Sequence, residues 1–130
     1  MIFGGNSMDK SEWMRKIKAA CKKAGTYQPQ FSYVIETLAQ IMEDRDKVHE
    51  QYVQTGSHPT ITHTNKAKET NIVKNPMLVM ECELNAQALA YWRDLGLTPA
   101  GLKRLNADAV KDKQQSAGGI ERLLADLENG

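Results

Sequence analysis

The sequence predicts a mainly α fold. It reads as one helical domain with a long central helix, a short β-hairpin or extended excursion at about residues 60–73, and a helix-turn-helix-like corner near 91–105. Apolar side chains recur every three or four residues over three long stretches, the signature of amphipathic helices. Those stretches begin and end on residues that cap helices. Between residues 55 and 75 the period vanishes and β-branched residues cluster instead.

The first helix starts after Asp9, with Glu12 three residues on, the spacing of a capping box. Trp13, Ile17, Ala20, Cys21 and Ala24 share one face, and Gly25 suits the stop. Residues 1–8 ahead of it read as a flexible arm. After Pro29 the strongest stripe begins: Phe31, Val34, Ile35, Leu38, Ile41, Met42, Val48 and Tyr52 predict a long helix ending near Gln54, with Gly56 beyond. So much apolar surface predicts packing inside the domain and against neighbouring subunits as well.

Thr60-Ile61-Thr62-His63-Thr64 and Thr70-Asn71-Ile72-Val73 could pair across a turn at 65–69. Asn75-Pro76 restarts helix as N-cap and first helical residue, and Met77, Met80, Leu84, Ala88, Tyr91, Trp92 and Leu95 follow on one stripe. Gly96 ends it, and Thr98-Pro99 opens another helix by the same device. That helix reads as brief, carrying Leu102, Lys103, Arg104 and Leu105. Residues 106–119 are small and polar, the composition of a linker. In 120–130, Ile120, Leu123, Leu124 and Leu127 form one face too short to be stable alone. It is either an interaction tail or a docked last helix. The domain proper is therefore 9–105.

With 41% hydrophobic and 25% charged residues, the chain belongs with folded globular proteins. Its formal net charge of +1 gives no global attraction for nucleic acid, so any such binding needs a local patch. Residues 1–29 provide one, with six basic against two acidic side chains, net +4. Residues 30–54 are the reverse, five acids against two bases, net −3. Cys21 and Cys82 both fall in apolar helical patterns and read as buried free thiols in a reducing cytoplasm. The N-terminus lacks the basic region and apolar core of a signal peptide. No apolar run approaches the roughly 18 residues a membrane span needs.

No catalytic constellation stands out. Gly4-Gly5-Asn6-Ser7 lacks the spacing and Lys-Ser/Thr pair of a phosphate loop. His49, His58 and His63 do not form zinc-finger spacing with the cysteines. Glu43, Asp44, Asp46 and Glu50 spread around a helix, where Glu43 and Lys47 make an i,i+4 pair. The chain reads as non-enzymatic, with no cofactor and no metal. The candidates for binding DNA phosphates are Arg15, Lys16, Lys18, Lys22 and Lys23 on the first helix, and Lys103 and Arg104 after the corner. The competing account of each is a solvated helix face. For 91–105, a packing corner is favoured over base readout, because the second helix offers no Asn, Gln or Arg at its start.

The run from Asn75-Pro76-Met77 to Leu95-Gly96-Leu97-Thr98-Pro99-Ala100-Gly101-Leu102-Lys103-Arg104-Leu105 resembles the small-terminase family of tailed phages. In that family an Asn-Pro opens a helix of some twenty residues that closes on Leu-Gly-Leu-Thr-Pro. The upstream order is similar too, and the resemblance covers residues 9–105. The family usually has two serines and an arginine after the proline, where this chain has Ala100, Gly101 and Leu102. The resemblance implies a non-catalytic subunit that recognises phage DNA, assembles as a homo-oligomeric ring, and regulates a large ATPase/nuclease subunit in the cytoplasm of the bacterial host. Ile120, Leu123, Leu124 and Leu127 are the candidates for partner contact. The rival function is a dimeric helix-turn-helix transcriptional regulator.

Overall fold

A computed structural model describes residues 7–129 of the chain, so Met1–Asn6 of the expected arm lie outside the described residues. The order of elements is α1 (Lys10–Ala24), a 3-10 turn (Pro29–Phe31), α2 (Ser32–Gln54), β1 (Thr60–Thr64), β2 (Thr70–Lys74), α3 (Pro76–Asp94) and α4 (Pro99–Asn129). This is the mainly α fold with a small antiparallel hairpin that the sequence predicts.

Local chemistry sets the helix limits. The Asp9 carboxylate accepts from the Glu12 amide at 2.8 Å, satisfying one orphan donor at the start of α1. Asn75 does the same for Met77 at 3.0 Å, and Thr98 Oγ1 accepts from the Gly101 amide at 3.0 Å. At the end of α3, Gly96 adopts φ +71°, which lets Leu97 N–H reach Trp92 C=O and Gly96 N–H reach Arg93 C=O. That paired closure is the Schellman motif, and only glycine enters it without steric cost.

Helices α1, α2 and α3 form the body, with α2 in the middle. The core comprises Ile17 and Cys21 from α1, Ile35, Leu38, Ala39, Ile41 and Met42 from α2, Ala88 from α3, and Leu95. Trp13, Phe31, Val34, Leu84, Tyr91 and Trp92 pack around it partly buried. The α2 stripe is thus the spine of the domain. Across the hairpin, Ile61 pairs with Val73, Thr62 with Ile72 and His63 with Asn71. All ten strand residues are exposed.

Three expectations need correction. The helix after Pro99 is not brief, because α4 runs for 31 residues. The stretch 106–119, expected as a linker, is helix within it, and the last segment continues the same helix. Small polar composition misleads here: Ala107, Ala109, Lys111, Lys113, Gln114 and Gln115 are all good helix formers. Third, Cys82 is exposed, and only Cys21 is buried. Cys82 lies on the side of α3 away from Ala88. At 100° per residue Cys82 stands 120° from Ala88, off the stripe that turns inward.

Candidate nucleic-acid interface

Five of the six basic residues of α1 share its solvent side, the sixth being Lys10. At 100° per residue, Lys18, Lys22, Arg15, Lys23 and Lys16 fall within an arc of about 160° centred opposite the core-facing Ile17 and Cys21. All five are exposed. Two are gathered onto one ring: Lys18 Nζ lies 5.3 Å and Lys22 Nζ 5.1 Å from the centre of Tyr27. Lys16 Nζ lies 5.7 Å from the Trp13 ring. These cation–π contacts steer the ammonium groups while leaving their N–H donors available to an anion. Among the described residues, no ion pair involves Arg15, Lys16, Lys18, Lys22, Lys23, Lys103 or Arg104.

Several contacts hold this face in place. Lys10 Nζ bonds Glu36 at 2.9 Å, and the Lys10 amide donates to Glu43. Trp13 Nε1 donates to Asp46 at 2.8 Å, and its ring meets Trp92 at 6.4 Å. At the other end, Thr26 Oγ1 donates to the Leu95 carbonyl at 2.7 Å, tying the end of α1 to the end of α3. The Lys10 amide is also the main reason the Glu43 carboxyl titrates below the ordinary carboxylate range, with the Lys47 bond adding to it. Burial pushes the Cys21 thiol upward and leaves it unreactive.

The second basic region is divided. Arg104 lines a hollow of about 250 Å³ together with Arg93, Asp94 and Asp108, so acids counter its charge locally. Lys103 is exposed on the next position around the helix. Lys23 shares an open groove with Leu97, Pro99 and Leu102, so the structure brings the end of α1 up to the α3–α4 corner. The corner itself is tightly packed. A Cβ added at Gly101 would stand 2.1 Å from the Arg93 carbonyl oxygen, so α4 crosses α3 at backbone contact. This close approach accounts for glycine at the position where the sequence departs from the serine–serine–arginine pattern.

Of the tail residues, Leu123, Leu124 and Leu127 are 65%, 55% and 78% exposed. The Ile120 side chain lies outside what is described. Two surfaces were not singled out from the sequence. One is the hairpin, where Lys66, Lys68 and Lys74 face a single acid, Glu69; a charge count over 55–75 would have found it. The other is the outer side of α3, with Val79 and Leu89 39% and 49% exposed. Among the described residues, no group of three or more His, Cys, Asp or Glu could hold a metal ion. No described helix is long and apolar enough to cross a membrane.

The described residues form a small helical body with a cationic helix face and a long exposed terminal helix. The family model for phage terminase, small subunit, matches residues 10–112, most of the chain. The chain therefore belongs to the phage terminase small-subunit family, and its role lies in phage DNA packaging. No curated protein and no solved structure gives a match.

Proposed function

We propose that this subunit, without catalysis of its own, recognises phage DNA and regulates the large ATPase/nuclease subunit during packaging, acting as a homo-oligomer, with a ring as the favoured form. The observation that carries the DNA reading is the α1 face: five cations on one side of a rigidly seated helix. Such a face binds phosphates with salt-dependent, largely sequence-independent affinity. Lys103 lies beyond the same corner and extends the surface, and Arg104 contributes less because of its acidic neighbours. The exposed leucines of distal α4, with Ile120 from the same stripe, are the proposed contact for the large subunit or a neighbouring copy. The start of α4 offers no Asn, Gln or Arg for base readout, which argues against the transcriptional-regulator alternative.

The test is fluorescence anisotropy of duplex DNA against the full chain over a range of salt, beside its native mass. Replacing Lys16, Lys18, Lys22 and Lys23 with Gln is expected to weaken binding and to flatten the log–log salt slope by about 0.9 for each phosphate no longer neutralised. Unchanged binding and slope in that variant would remove α1 from the interface.

A further inference from the structure

We infer that the β1–β2 hairpin is a second DNA-contacting element, a two-stranded ribbon that enters a groove while α1 holds phosphates. The inference rests on the DNA-recognition reading above.

No side chain of the two strands is buried within the protomer. All ten strand residues are exposed, Ile72 to 77%. An isolated two-stranded hairpin is at best marginal in water, so it needs a stiff base or a partner. The base is present. Asn75, 6% exposed, donates from Nδ2 to the His58 carbonyl at 2.9 Å and from its backbone to the Pro59 carbonyl at 2.9 Å, while capping α3. The tip is ordered as well. Asn65 Oδ1 accepts from the Ala67 and Glu69 amides, each at 3.0 Å, and Asn65 N–H reaches the Glu69 carbonyl. The ribbon is thus anchored at its base and ordered at its tip.

Its chemistry identifies the partner. One face carries Thr60, Thr62, Thr64, Thr70, Ile72 and Lys74, so hydroxyl donors and one cation surround a single apolar contact. Protein–protein interfaces are depleted in Lys and enriched in aromatic residues, Met and Arg. The hairpin has three lysines, no Phe, Tyr or Trp, no Met and no Arg. Protein–DNA interfaces are polar and positively charged, with Lys, Thr and Asn on phosphates. Lys68 adds a specific clue. It sits at φ +62°, a left-handed position that glycine fills without strain. A lysine there places a cation at the tip at a cost in backbone comfort. The size also fits: five residues per strand span about 17 Å, and a major groove about 12 Å wide admits a two-stranded ribbon.

The test uses the full chain carrying Lys66→Gln and Lys68→Gly together. The glycine relieves the left-handed position, so the turn is kept while both tip charges are removed. Anisotropy with duplex DNA is measured at several salt concentrations, with circular dichroism and native mass as controls. The expected result is weaker binding and a log–log salt slope shallower by up to about 2, with fold and native mass unchanged. If the wild type binds DNA and this variant binds with the same affinity and slope, the hairpin inference is overturned while the α1 reading stands. A changed native mass with unchanged DNA binding overturns it in favour of a contact between copies. A wild type without DNA affinity removes the DNA reading, and the hairpin inference with it.

Discussion

The two longest helices, α2 and α4, are built to opposite ends. α2 buries Ile35, Leu38, Ala39, Ile41 and Met42 between its neighbours. α4 is longer, yet its packing is confined to its first turns, where Gly101 is buried and Leu102 and Leu105 are half-buried. Every described residue from 106 to 128 other than Gly118 is exposed. Length and helicity are therefore separate from burial. α2 is stabilised mainly by tertiary packing, as most helices are, whereas distal α4 relies on intrinsic propensity and keeps an apolar stripe uncovered. The hairpin resembles distal α4 in this respect. The molecule divides into a packed body and two projecting elements free to meet other molecules.

The sharpest way to break that division is a matched pair of truncations. Leu38→Ala, at a fully buried site, is expected to cost about 2–5 kcal/mol in thermal or denaturant unfolding. Leu124→Ala on α4 is expected to stay within about 0.5 kcal/mol. A comparable loss at Leu124 would mean that α4 is covered in the assembled protein and contributes to its stability.

Gly101→Ala probes the joint between the two regions. The added methyl meets the Arg93 carbonyl oxygen, so α4 must shift, at a cost of about 1–3 kcal/mol. Unfolding followed by circular dichroism reads this directly, and no change would show that the crossing yields easily.

Acid acts on the body through Glu43. The Glu43 carboxyl titrates below its ordinary value of 4.5 because the Lys10 amide, then Lys47, favours its charged form. Its contribution is therefore present above that value and fades as pH falls through the lower folded-state one. Loosening of α1 as pH falls below the ordinary carboxylate range should appear in tryptophan fluorescence, through Trp13 and Trp92. Glu43→Gln should remove that part of the pH dependence.

The smallest expected effect on folding comes from deleting residues 118–130. The body should unfold as before, because none of its core residues lies there. Stimulation of the large subunit should be lost. A collapse of the fold would instead assign the distal helix to the core.

Caps and stops were legible because they are local. Asp9, Gly25 and the Asn75-Pro76 pair each act within a few residues of themselves, and α1 begins and ends, and α3 begins, where those residues place them. The hairpin was legible as β-branched segments flanking a turn, with an extended excursion as the other reading. The continuity of α4 was hidden because small polar residues serve linkers and exposed helices alike. The basic face of α1 was visible as a charge count, but its focus on Tyr27 was not, since Tyr27 lies beyond the helix and reaches the lysines only through the turn after Gly25.

The amino-acid order alone settled which segments are helical in the body, which stripe forms its centre, and that positive charge concentrates near the N-terminus. These follow from periodicity and capping, which operate over one or two helical turns. The exposure of Cys82, the backbone crossing at Gly101 and the uncovered leucines of α4 required the folded chain. Each depends on which elements approach one another. Spacing within one helix does not report contacts between helices distant in sequence.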